Sequence, residues 1–148
     1  MKKKLSKLAL VAIIIGLMPV AASAQQVENQ NLVNVTRLKT KWPEKGSGVI
    51  RDSLIQIYND NVIKKNDKIL SHREYSHFFT TDNKDYMILE EFKDFSSMEE
   101  AWKINTDLEK KAWPDEKKRK EFMDAMGAYF DDWHGDAIFH TNPKLSKN

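Results

Sequence analysis

The chain has 148 residues, 24 of them basic and 22 acidic, and no cysteine, which excludes disulfides, thiol catalysis and cysteine-built zinc sites. Four lysines and no acid fall in residues 1–24, so the remaining 124 residues hold 20 basic and 22 acidic side chains, formally −2. That balance excludes the basic footprint of a nucleic-acid-binding protein.

Residues 1–24 read as an export signal. Lys2, Lys3, Lys4 and Lys7 form the basic start, residues 8–17 the apolar stretch, and Ala22-Ser23-Ala24 the small-residue cleavage site before Gln25. The apolar run is shorter than the roughly 20 residues a spanning helix needs. The expectation is a periplasmic or secreted protein with no integral membrane segment after cleavage. No cysteine follows the apolar run, so lipid attachment is excluded. Residues 25–31 and 142–148 read as flexible tails around one domain, residues 32–141, long enough to bury a core.

Within that domain, residues 33–42 alternate weakly and carry β-branched side chains, which predicts a first strand. A loop with Pro43, Gly46 and Gly48 follows. Ile50, Leu54, Ile57, Tyr58 and Val62 then recur every three or four residues, predicting a helix over 49–66. Residues 69–80 and 86–95 read as the arms of a hairpin turning in Thr81-Asp82-Asn83-Lys84-Asp85. Ser96 and Glu99 have the spacing of a capping box and predict a helix beginning there. Pro114 ends that helix and suits the first turn of the next, with Asp115 and Glu116 at its positive end. The last helix is expected to carry Phe122, Met126, Tyr129, Phe130 and Trp133 on one face and to stop at Gly135. Residues 136–141 complete the chain as a short strand.

The predicted order is β-α-β-β-α-α-β, an α+β ferredoxin-like sandwich with a four-stranded antiparallel sheet. Helices on one face leave the other to be covered. The order, together with VNVTRLK, HREYSHFFTTDNKDYMILEEF and YFDDWHGDAIF, resembles the dimeric α+β barrel superfamily. That group includes antibiotic-biosynthesis-type monooxygenases, stress-responsive barrel proteins and NIPSNAP-like proteins. Blocks such as NVIKKNDKILSHREYSHFF and KAWPDEKKRKEF also resemble small exported bacterial proteins of unassigned function. The resemblance implies a homodimer with two sheets packed into one barrel and a pocket between each sheet and its helices. The superfamily houses oxygenases, haem degraders and isomerases as well as proteins without activity, so the fold does not choose among them.

The hairpin carries the candidate chemistry. His72 and His77 are five residues apart and point to opposite faces of a regular strand, so they do not share a metal. A tight turn at Asn83-Lys84 would place His77 opposite Glu90 and Ser76 opposite Glu91. A His77–Glu90 pair would serve as general base with its orienting acid, and Arg37 would stabilise a developing anion. An ordinary cross-strand polar pair is the structural alternative. Tyr75, Phe79, Trp102 and His140 are the candidate ligand-binding residues. His134 is read as a helix-terminal cap. Asn34, Trp102 and His134 are of the types found in haem-degrading relatives, but no local motif matches. No metal-binding, phosphate-loop or serine-nucleophile motif occurs, and no cofactor is implied. Trp42-Pro43 and Trp113-Pro114 read as packing elements. Three functions follow: binding of a small, partly apolar molecule, a cofactor-independent monooxygenase or isomerase, and a non-catalytic structural or interaction protein.

Overall fold

The computed structural model describes residues 30–79 and 83–145. The expected export signal, residues 25–29 of the first expected tail and 146–148 of the second lie outside these residues, as do Thr81 and Asp82 of the turn. The elements are β1 (Leu32–Thr40), α1 (Gly48–Asn61), a 3-10 turn (Ile63–Lys65), β2 (Ser71–Ser76), β3 (Asp85–Phe92), α2 (Phe95–Ala112), α3 (Glu116–Gly127), β4 (Phe130–His140) and a second 3-10 turn (Pro143–Leu145). The order β-α-β-β-α-α-β is the predicted one. The four strands form one sheet in the order β2-β3-β1-β4, with every neighbouring pair antiparallel.

Each helix begins at an oxygen acceptor that satisfies an otherwise free amide. Ser47 accepts from the Ile50 amide at 3.3 Å, Asp94 from Ser97 at 2.7 Å, and Asp115 from Lys118 at 2.9 Å. The expected Ser96–Glu99 capping box is therefore displaced. Asp94 has an extended backbone and a carboxylate, and α2 starts one residue after it. That bond holds the Asp94 carboxyl below its ordinary range. Pro114 lies between α2 and the Asp115 cap, so it ends one helix without entering the next.

The largest correction falls at the C-terminus. α3 stops at Gly127, and Phe130 and Trp133 belong to β4 instead of extending the helical stripe. Gly135, expected as a helix cap, lies within β4 opposite Arg37. Trp133, Gly135 and Ala137 alternate with Asp132, His134 and Asp136, which is a strand period. Between the Leu38–His134 and Thr40–Phe130 pairs, β4 advances four residues while β1 advances two. The bulge keeps parity, so Phe130 stays on the helix-facing side and meets Tyr86 edge to face at 5.2 Å.

Opposed residues share a face of the sheet. One helix-facing row runs His72–Glu90–Asn34–Ile138, and the next runs Glu74–Ile88–Thr36–Asp136. Phe92 continues that face and is fully buried against Met98 and Ala101 of α2, with Ile69 beside them. The opposite face carries Val33, Val35, Met87, Leu89, Ala137 and Phe139. Val35 and Leu89 sit mid-sheet yet are only half-buried, and Phe139, Trp133 and Tyr75 are exposed. The ends of the domain are tied together: Thr141 donates its amide to the Asn31 carbonyl at 2.9 Å, and the Asn31 amide donates to the Thr141 hydroxyl at 2.9 Å.

Candidate functional site

Between the sheet and the three helices lies a cavity of about 320 Å³, within the usual range for small-molecule sites. Leu38, Ile55, Ile88, Met123, Met126 and Phe130 give it apolar walls. Its polar groups come from both layers. β2 and β3 supply His72, Glu74 and Glu90, α1 supplies Tyr58 and Asn59, and α2 supplies Asn105.

The hairpin register builds the centre of this site. His72 lies directly opposite Glu90, and both alternate onto the helix-facing side. The His72 Nδ1 is 3.1 Å from Glu90 Oε1, and its Nε2 is 2.8 Å from Glu74 Oε1. Glu74 also accepts from Asn59 Nδ2 at 2.7 Å and from the Tyr86 hydroxyl. An ionised carboxylate only accepts hydrogen bonds, so an imidazole held between two of them carries a proton on each nitrogen. Burial alone would lower the His72 pKa, but hydrogen bonds to Glu74 and Glu90 outweigh it and push it up to about 9. Burial would likewise raise Glu74, yet its bonds from His72, Asn59 and Tyr86 hold it below its ordinary value. Burial raises the Tyr86 phenol, and the Glu74 carboxylate raises it further.

Tyr58 donates its hydroxyl to Glu109 Oε1 at 2.8 Å, and burial followed by that bond raises its pKa. Asn105 is oriented from behind by the buried Asn66, whose Nδ2 donates to Asn105 Oδ1 at 2.7 Å. That bond fixes the amide and leaves Asn105 Nδ2 as a donor without a protein partner among the described residues. Glu90 Oε2 is the matching acceptor without one. Together with Asn59 Oδ1, these atoms are left for something else to bond.

The residues expected from sequence are dispersed. The register sets His77 opposite Asp85, where its amide donates to the Asp85 carbonyl at 3.0 Å, so Glu90 partners His72 and not His77. Arg37 projects from the other face of the sheet, opposite Met87 and Gly135, and lines a separate groove with Tyr75 and His77. Glu90 is thus parted from both His77 and Arg37 by the sheet itself. Tyr75, Phe79, Trp102 and His140 do not line the cavity: Tyr75 is on the opposite face, Phe79 is 91% exposed beside the turn, Trp102 is exposed on α2, and His140 is exposed at the end of β4. His134 lies on β4, 3.5 Å from Asp136, and caps no helix. Trp42 packs edge to face on Tyr129, and Trp113 stacks on Phe122, as expected of packing elements. Glu90 is the one expected site residue in the cavity. The strand parity shared by His72, Glu74, Ile88, Glu90 and Phe92 is the signal that would have found its partners.

Among the described residues no group of three histidines and acids is placed to hold a metal ion. The His72 ring separates its two carboxylates, so the trio does not converge on one point.

The linked titrations predict a pH profile of stability. A folded-state pKa raised above the ordinary 6.5 means that the His72 contribution is fully present below pH 6.5 and is lost as pH rises through about 9. The lowered Glu74 contributes above its ordinary 4.5 and loses that contribution on acidification. Stability should therefore peak between these ordinary values and fall on the alkaline side by on the order of 2 kcal/mol, discounted for partial solvent screening. Denaturant midpoints measured across that range would show the fall. His72→Gln should flatten it, and an equally steep profile in that variant would contradict the assignment.

No family model matches the chain, and no curated protein matches it. Solved structures do share its fold. A variant of SnoaB, a cofactor-independent oxygenase from Streptomyces nogalater, superposes with a TM-score of 0.51 at 10% identity, covering 79% of this chain and 98% of that one. A dimeric ferredoxin-like protein of unknown function from Thermobifida fusca matches with a TM-score of 0.47 at 7% identity, covering 77% and 93%. An antibiotic biosynthesis monooxygenase gives 0.43 at 11%, covering 76% and 99%. The chain has the ferredoxin-like α+β fold. Among the described residues no helix is long and apolar enough to cross a membrane.

Proposed function

We propose that this is an exported homodimeric protein that binds a small, partly apolar molecule between its sheet and helices. The observation that carries the reading is the cavity of about 320 Å³, where apolar walls meet Glu90 Oε2 and Asn105 Nδ2, a bare acceptor and a bare donor. Both atoms are within reach of water, and a ligand offering the complementary pair would take the place of that water. The apolar face of the sheet, with Val35, Leu89 and Phe139, supports pairing with a second copy. The signal-like residues 1–24 support export.

Native mass spectrometry of protein recovered from the periplasm or medium tests all three parts. The expected result is a dimer beginning at Gln25 that carries a small-molecule mass, with Met126→Trp, which fills the cavity, losing that mass. A clean monomer would overturn the dimer, and an unprocessed N-terminus would overturn export. A small-molecule load unchanged by Met126→Trp, or no load at all, would overturn binding in this cavity.

A cofactor-independent oxygenase or isomerase is the second reading, favoured by the Glu90 oxygen facing the cavity beside an imidazolium. Glu90 would be the base, with His72 positioning it, since both His72 nitrogens are committed to carboxylates. Removing a proton leaves an anion, however, and Asn105 Nδ2 is the donor left for it while Arg37 lies across the sheet. Binding therefore fits the site better than this chemistry. The non-catalytic structural reading would leave the cavity without a ligand, which the Met126→Trp comparison distinguishes.

A further inference from the structure

Resting on the binding reading, we propose that the cavity selects an apolar amine and turns away carboxylates and phosphates. The selectivity comes from the charges built into its walls. Among the described residues no lysine or arginine lines the cavity, and its charged side chains there are Glu74, Glu90 and His72. The geometry that puts a proton on each His72 nitrogen leaves two carboxylates against one imidazolium, a net −1 on side chains that are each less than one-fifth exposed. A third carboxylate, Glu109, stands just behind the Tyr58 hydroxyl.

The nearest arginine does not reverse this sign inside the cavity. Arg51 lies 5.5 Å from the Tyr86 ring centroid and, with Lys64, lines a neighbouring groove that shares Glu74 and Tyr86 with the cavity, but Arg51 pairs with Asp52 at 2.8 Å and Lys64 with Asp60 at 2.5 Å. An incoming carboxylate would meet Glu90 Oε2, an acceptor, and would be desolvated beside a like charge. An ammonium would meet a carboxylate oxygen, with the Tyr58, Tyr86 and Phe130 rings and the Met123 and Met126 thioethers around it, surroundings that favour a cation over an anion. Asn105 Nδ2 asks for an acceptor elsewhere on the ligand. The class is thus an amine with an apolar body and a second oxygen or nitrogen able to accept.

Ligand-observed NMR with naphthylmethylamine, naphthylmethanol and naphthoate near neutral pH tests the charge term on one ring system. The amine should bind at least about tenfold more tightly than the carboxylate, with the alcohol between them, and added salt should narrow the gap only weakly because the charges are enclosed. Glu90→Gln keeps an acceptor for His72 and should reduce the amine's advantage over the alcohol to within about threefold. Naphthoate binding as tightly as the amine would overturn the inference while leaving the cavity a binding site. Failure of all three to bind would overturn the binding reading together with it. The wild-type comparison needs no variant, so it decides the matter if Glu90→Gln does not fold.

Discussion

Replacing His72 with leucine is expected to lower stability by about 3 kcal/mol, the lower end of what breaking a buried ion pair costs. The loss would arise less from the missing ring than from what remains. His72 and Glu90 side chains are only 14% and 15% exposed, and Glu74 is 18% exposed. Without the imidazolium, two carboxylates on adjacent strands would face each other with their main counter-charge removed. The same logic makes a rescue possible. Adding Glu74→Gln and Glu90→Gln to His72→Leu removes the stranded charges and should recover at least half of the loss. Denaturant midpoints near pH 6 compare the two proteins directly. A triple variant as unstable as the single one would mean that packing, and not charge, holds this corner.

Phe92→Ala is expected to have the larger effect, about 3–5 kcal/mol. Phe92 is fully buried, ends β3 on the same face of the sheet as Glu90, and contacts Met98 and Ala101, which are also fully buried. Truncation would leave a void between β3 and α2 that neither rigid element can close. Phe92→Leu, which keeps most of the volume, should cost only about 1 kcal/mol. With total stabilities of about 5–15 kcal/mol typical of a domain, the alanine variant would be marginal near physiological temperature. Thermal unfolding followed by circular dichroism would show the difference. Near-equal midpoints for the two variants would place the core elsewhere.

Much of the fold was legible because each element has its own local signal. β1 reads from its β-branched residues, α1 from a spacing of three and four, and the break between α2 and α3 from Trp113-Pro114. Besides the cap of α2, two places differ from the sequence reading, for different reasons. The aromatic residues after Gly127 fit a helical spacing and a strand alternation at once, and the glycine itself marks where the helix ends. In the hairpin, Phe78 and Phe79 are strong strand formers, which favours an arm reaching residue 80 and a tight turn. The observed arms stop at Ser76 and resume at Asp85, and this wider connection moves the partner of Glu90 from His77 to His72. A register is a long-range property set by which faces are buried, and no local propensity fixes it. The site followed the register, so only Glu90 of the expected set was placed in it.

The strand order also has a consequence in time. β1 is the first element of the sheet and lies in its middle, with β3 on one side and β4 on the other. Its last partner is the final strand, and the clasp between Asn31 and Thr141 spans 110 positions of sequence. Contacts this distant are slow to form because a long loop must close before they contribute. As the chain is synthesised from its N-terminus, β1 therefore emerges with both edges bare and keeps the edge that takes β4 bare until almost all of the rest has followed. A chain built this way postpones the closing of its sheet until its last strand has been made.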